Sequence, residues 1–293
     1  MPKINPNHAT ARRRKAVDKL MTSLIVVATV LAIVPLVLII ADVASKGIPV
    51  ISLSFLTSLP GWSAAGVPTG GIANALFGSF IMIVIAFLIS VPIGVGAGIF
   101  FSEWPESRLS TISSFTNDVL AGFPSIVIGI FVYIVIVLST GTFSALAGAV
   151  ALSIIMIPII ARSTEESLKI VPVTLREASM ALGVSRWRTV LKVVISTGRS
   201  GLATGILLAV ARALGETAPL LLTVQGSNLF PTSLFQPTAA LPLLIFNYGM
   251  SGDPTLEAQA WGAAFILIIV MLALNLSTRF LLGRRLGEVR AEI

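Results

Sequence analysis

Six long apolar stretches leave this chain few folds to choose from. A helix that crosses a bilayer needs about 20 predominantly apolar residues. Candidate spans fall at 20–41, 72–101, 119–138, 143–161, 200–224 and 260–282. Composition agrees: 11% of the residues are charged, where a soluble domain carries about 25%. The expected fold is an all-α integral membrane protein with six transmembrane helices. The first span follows "ARRRKAVDK", a basic run like that of a signal peptide. Its apolar stretch exceeds the ~7–15 residues of such a peptide, and no A-x-A site follows, so it reads as an uncleaved helix.

The basic residues orient the bundle. Six lie in the leader (Lys3, Arg12, Arg13, Arg14, Lys15, Lys19), and Arg108 lies between spans two and three. Seven lie between spans four and five (Arg162, Lys169, Arg176, Arg186, Arg188, Lys192, Arg199), and four in the tail (Arg279, Arg284, Arg285, Arg290). With six spans these eighteen share one side, and Lys46 alone lies opposite. Lys and Arg collect in cytoplasmic loops, so both termini are expected in the cytoplasm. The net charge of +7 is then topology, and no nucleic-acid partner is expected. The chain lacks cysteine, and its single histidine, His8, lies in the leader. No thiol chemistry, metal centre or cofactor is expected.

Two outward segments, 42–71 and 225–259, mix turn residues with Phe55, Leu56, Trp62, Phe230, Phe235 and the apolar run 241–246. Interfacial helices at the headgroups and a docking surface or outer gate are equally open readings. In span two, "SVPIGVGAGIFF" has Gly94, Gly96 and Gly98. No strand precedes them, and small residues let membrane helices approach closely, so packing is preferred to nucleotide binding. Pro92 there, and Pro124 in "AGFPSIVIGIF", are expected kinks or breaks.

The segment 162–199 is too patterned for a plain loop. In "VPVTLREASMALGVSRW", Thr174 and Glu177 have capping-box spacing, and Gly183 suits a helix stop. The pattern predicts a helix over 175–182 and a second from about 186. A two-turn helix is marginal alone. Either it folds onto its own bundle, or its stripe of Leu175, Ala178 or Ser179, and Leu182 docks into a groove on another protein.

In the fifth span, "ARALGETAPLLLT" places Arg212 and Glu216 four residues apart, on one face of a continuous helix. Arg212 falls about 12 residues into the span, ~18 Å along it, near mid-bilayer. A charge there costs between about 2.5 and ~17 kcal/mol. Gly215 leaves room for a neighbour, and Pro219 disturbs the helix and frees a carbonyl. One reading is an ion pair that helps the bundle pack. Against it, buried pairs are often no better than apolar replacements, while intramembrane charges usually mark a pathway. Arg offers an oxyanion two parallel hydrogen bonds. Glu216 would neutralise Arg212 when the path is empty, or accept a hydrogen bond from a P–OH group.

Two resemblances sharpen these readings. Glu177-Ala178 with Gly183 six residues after the Glu resembles the EAA loop of ATP-binding-cassette importer permeases, although 193–196 read Val-Val-Ile-Ser where that family often has Ile-x-Leu-Pro. "ARALGETAPLLLT" at 211–223 and "FPSIVIGIF" at 123–131 resemble the PstA-type permeases of phosphate importers. The likeness covers about 72–282. It implies a type I importer transmembrane domain that moves inorganic phosphate and leaves ATP hydrolysis to another subunit. It further implies a PstC-type permease as partner, a dimeric PstB-type ATPase and an extracytoplasmic PstS-type phosphate-binding protein. Arg212, Glu216 and Thr217 would line the substrate path. Leu175, Glu177, Ala178, Ala181, Leu182 and Gly183 would form the ATPase-coupling helix. The implied division is a basic leader (1–19), a first helix (20–41), a permease core (72–282) including the coupling segment 162–199, and a tail (283–293).

The chain agrees in having no G-x-x-x-x-G-K-[ST] nucleotide loop. Three rival readings remain. The same architecture could carry sulfate or molybdate. A proton-coupled secondary transporter could use Glu216 as proton carrier. A membrane-embedded enzyme is the third, and no cluster of catalytic spacing supports it.

Overall fold

A computed structural model describes residues 8–64 and 66–291, with side chains from 13 to 277 apart from Ala65. Lys3 of the leader lies outside the described residues, as do the side chains of His8, Arg12 and the four tail arginines. Among the described residues, helices and connecting loops are joined by one small hairpin. In order, α1 spans His8–Gly47, α2 Leu53–Thr57, α3 Ala73–Glu103 and α4 Arg108–Ala121. Then come α5, Ser125–Thr140, and α6, Ala145–Lys169. Next are α7, Val173–Ala181, α8, Arg186–Leu214, and α9, Ala218–Thr223. α10, Leu241–Gly249, and α11, Pro254–Ala291, complete the chain. The hairpin pairs β1 (Pro60–Trp62) with β2 (Pro68–Gly70), antiparallel, in the first outward segment.

Among the described residues, five helices are long and apolar enough to cross a bilayer: α1, α3, α6, α8 and α11. The pair α4 and α5, bent by 103° at the break between them, brings the number to six if it counts as one span. The expected continuous span at 119–138 is therefore corrected. Its first residues belong to α4, and α5 begins at Ser125. Pro124 explains the break, because a residue before proline avoids the helical region and so stops α4 ahead of Phe123.

The core is a sandwich of α3 and α6 closed by α8, α9 and α10. Met82 and Ala86 pack with Leu152, Met156 and Ile160, and with Ala209, Val210, Leu220 and Leu243. Glycine makes the closest approach possible. A Cβ on Gly98 would lie 2.4 Å from the Ala161 carbonyl oxygen, and one on Gly94 2.8 Å from Ile160 Cβ. Gly96 faces open space. These contacts are the small-residue packing that membrane helices use.

The outward segments are not simply interfacial. Phe55 and the run Leu241, Leu243 and Leu244 are buried, while Trp62 and Phe235 are exposed. Phe230 stacks on Phe77 with centroids 4.7 Å apart. α1 touches the rest of the molecule mainly at its outward end, where a Cβ on Gly47 would collide with the Trp261 carbonyl and Lys46 lies over the Trp261 ring.

The side assignment has a direct check. Cysteines at Ser63 and Ser233 should react with an impermeant thiol reagent added outside intact cells, and cysteines at Ser107 and Ser185 should react only after permeabilisation. Labelling of Ser185→Cys from outside would break the six-crossing arrangement.

Candidate functional site

Pro172 and Arg176 decide where the first candidate segment, α7, begins. The expected capping box does not form, and the expected start at Leu175 is corrected to Val173. Pro172 is the residue before the helix, in an extended conformation, and no side chain caps it. As the N-cap it stands outside the helix, where its missing N–H costs no helical hydrogen bond. Arg176 then reaches back, donating to the carbonyls of Val171 (3.0 Å) and Leu168 (2.8 Å). Thr174 is left inside the first turn.

The helix stop is as expected. Gly183 has φ +81°, the left-handed conformation that glycine tolerates. The Gly183 N–H donates to the Met180 carbonyl (2.9 Å) and the Val184 N–H to that of Ser179 (3.3 Å). This is a Schellman stop, and α8 follows from Arg186, as expected.

One face of α7 is tied to the bundle. Arg176 pairs with the buried Glu103 at 3.1 Å, and Ser179 shares a hydrogen bond with Thr189 at 2.9 Å. From the next helix, Arg186 donates to the Glu103 carbonyl (2.5 Å) and lies over the Trp104 ring. The other face is bare: Leu182 is 85% exposed and Leu175 43%. Glu177, Ala178, Ala181 and Gly183 are also exposed. No residue of α7 is buried, so folding of this chain alone does not cover the stripe. Sequence reasoning missed Glu103 and Trp104 as anchors. Their one signal is an acid two residues past the apolar run of the second span.

The second candidate segment departs further from expectation. The span 200–224 is not one helix: α8 runs from Arg186 to Leu214, residues 215–217 form a break, and α9 restarts at Ala218. Pro219 has no N–H to give the Gly215 carbonyl, and its ring crowds that carbonyl. The helix therefore stops and restarts with Pro219 in its first turn, where no N–H is needed. Arg212 and Glu216 thus do not share a continuous helical face. Arg212 ends one helix, and Glu216 sits in the break.

Their Nε to Oε1 distance is 3.7 Å, beyond a good hydrogen bond. The Arg212 side chain is 56% exposed and that of Glu216 16%. Arg212 occupies the last turn of α8, where a helix's carbonyl end favours a cation. A Cβ on Gly215 would lie 2.8 Å from the end of Met271, so the room at this glycine is taken by a flexible side chain. Thr217, before the restart, is half-buried. The break is braced by α5, where a Cβ on Gly129 would fall 2.8 Å from Pro219 Cα. The 123–131 and 211–223 segments therefore touch.

A bundle of five or up to six membrane-spanning helices, with a short helix ahead of the fifth span held on one face and bare on the other, is the fold of a polytopic membrane subunit. Residues 90–284 match the family described as the binding-protein-dependent transport system inner membrane component, and the chain belongs to it. Within it, the chain is 41% identical over 242 residues to the phosphate transport system permease protein PstA of Xylella fastidiosa (strain 9a5c), covering 82% of this chain and 83% of that one. It is 39% identical over 267 residues to PstA of Haemophilus influenzae, covering 91% and 94%. With the probable PstA of Methanocaldococcus jannaschii it shares 37% over 276 residues, covering 94% and 96%. The chain is a member of the PstA family of phosphate transport system permeases.

Among solved structures, an inward-facing MetNI methionine ABC transporter chain superposes with TM-score 0.59 at 20% identity, covering 73% of this chain and 94% of that one. A bacterial ABC transporter that imports the acidic polysaccharide alginate gives TM-score 0.57 at 13% identity, covering 92% and 98%. At these identities the likeness is one of fold, the ABC importer transmembrane domain. The chain is a multi-pass inner-membrane transport subunit, and in such importers the ATPase is a separate polypeptide.

Proposed function

We propose that this permease forms half of a pore that moves inorganic phosphate into the cytoplasm. The other half is a PstC-type permease, the motor a dimeric PstB-type ATPase, and the donor a PstS-type phosphate-binding protein. The observation that carries the substrate reading is the break in the fifth span. It presents an exposed guanidinium and, 3.7 Å away, a carboxylate within a segment that carries no other charge. A packing pair belongs inside its own bundle, whereas the Arg212 side chain is more than half exposed.

Phosphate passes Arg212, which offers two parallel donors. Glu216 balances Arg212 between passages and accepts from a P–OH. Sulfate has no such proton at neutral pH, so the pair favours phosphate over sulfate or molybdate. Thr217 lies beside this path. ATP hydrolysis reaches the path through α7, whose bare residues Leu175, Ala178, Ala181 and Leu182 seat in a groove of the ATPase. Glu177 lies on the rim of that contact and Gly183 ends it.

Uptake of radiolabelled phosphate in proteoliposomes tests the whole reading. The four components together should take up phosphate only with internal ATP, and excess sulfate should not compete. Uptake driven by a proton gradient without ATPase would overturn it in favour of a secondary transporter.

A further inference from the structure

The end of α3 meets α7 in a junction whose hydrogen bonds are only half made. Among the described residues, five buried side-chain polar atoms lack a hydrogen-bond partner, and four of them are Ser102 Oγ, Glu103 Oε1, Thr164 Oγ1 and Arg176 Nε. Ser102 and Glu103 close the last turn of α3. Thr164 packs from α6 against Gly98, one turn earlier, where a Cβ would lie 2.5 Å from Thr164 Cβ. Buried polar groups are nearly always paired, and each exception in a native fold calls for a reason.

Two of these orphans answer each other. Glu103 Oε1 lacks a donor, and Arg176 Nε lacks an acceptor. Their residues already touch: Arg176 Nη2 lies 3.1 Å from Glu103 Oε1, close enough for an ion pair but not aligned as a hydrogen bond. The guanidinium is turned instead to the carbonyls of Leu168 and Val171. Both orphaned atoms are sealed from water. A buried ion pair offsets its desolvation only with good geometry and its remaining hydrogen bonds made. The present arrangement is therefore not the best that these two residues can reach.

Glu103 also joins three helices. Its side chain faces Arg176 of α7, and its backbone carbonyl accepts from Arg186 at the start of α8. α3 is in turn locked to α6 by the close approach at Gly98. A displacement of α7 thus reaches α3 and α6 through this one residue. The same residue holds the start of α8, whose last turn carries Arg212.

We infer that Glu103 is a positioning residue for coupling, one half of a latch that stands open in this structure. The inference rests on the coupling role proposed for α7. When the ATPase moves α7, the latch closes: the Arg176 Nε–H donates to Glu103 Oε1, and both orphans are satisfied by one charge-assisted bond. The stroke then carries α3 with it. Without the latch, α7 slips against the bundle and ATP is hydrolysed with little transport.

The complete transporter and its binding protein are reconstituted in proteoliposomes, and the ATP hydrolysed per phosphate taken up is measured. Glu103→Gln keeps the shape but offers a neutral oxygen, a weaker acceptor than a carboxylate, and should raise that ratio about threefold. Glu103→Met removes the acceptor and leaves Arg176 unanswered, and should raise it about tenfold. Both variants should copurify with the ATPase, because the bare face of α7 is unchanged. A ratio equal to that of the unaltered transporter in both variants, whether or not the amount of complex falls, would make Glu103 a packing residue and overturn the latch. If the Met variant does not assemble, the Gln ratio alone decides. Phosphate uptake without ATP in the unaltered transporter would instead overturn the coupling reading, and the latch with it.

Discussion

Arg212→Ala is expected to reduce phosphate uptake to background while the permease still inserts and still holds its ATPase. The guanidinium lies at a helix break, more than half exposed and only loosely paired, so little of the fold depends on it. At 3.7 Å the pair lacks a good hydrogen bond, so it adds little to the bundle's stability. Its loss therefore shows in transport and not in assembly. Arg212→Lys should recover little, because an ammonium keeps the charge and loses the planar fork. Glu216→Gln leaves the cation without its counter-charge and lowers uptake by trapping the anion or misplacing the arginine. The double replacement Arg212→Ala with Glu216→Ala separates pathway from packing. If the pair only braced the bundle, removing both partners leaves no orphan charge and transport returns. If phosphate passes Arg212, assembly is normal and uptake stays absent. Uptake in cells lacking their own phosphate system, with subunit amounts checked by blot, decides between them.

Leu182→Asp should uncouple the transporter. Leu182 is 85% exposed and ends a helix whose other face is fixed by Arg176 and Ser179. A carboxylate there disturbs no internal contact, so the permease should fold and insert. Burying that charge in an apolar groove of the ATPase is expected to cost at least about 2 kcal/mol, the scale of an interface hot spot, or roughly 30-fold in association. Copurification of the ATPase and phosphate uptake should fall together. Gly183→Val should act by another route. Open space surrounds that position, so no side chain clashes, but left-handed backbone costs an L residue about 1–2 kcal/mol and more with β-branching. The Schellman stop would loosen and the stripe would lose its aim. Glu177→Gln should be mild. Glu177 is exposed and caps nothing, so only its contact with the ATPase changes. Normal copurification and uptake in the Leu182→Asp protein would return α7 to a packing role.

Much of this molecule was legible in its sequence, where the governing physics is short-ranged. Apolar runs gave the membrane class and the crossings, because hydrocarbon thickness sets helix length. Gly183 marked the end of α7, since a left-handed residue there needs no distant partner. Pro124 marked a break for the same reason. Tertiary structure decided matters where two local rules compete or distant residues meet. Thr174 and Glu177 have capping spacing, yet Pro172 starts the helix earlier, and the reach of Arg176 to Leu168, Val171 and Glu103 holds it there. The spacing of Arg212 and Glu216 reads as one helical face, yet Pro219 three residues on ends that helix between them, with Gly129 of α5 packed against the break. Whether proline kinks a helix or stops it depends on what surrounds the freed carbonyl. Asn74 and Ser227, 153 positions apart, meet only once α3 packs beside the segment after α9. Hydropathy and capping rules see one turn at a time, and these three outcomes required contacts between helices.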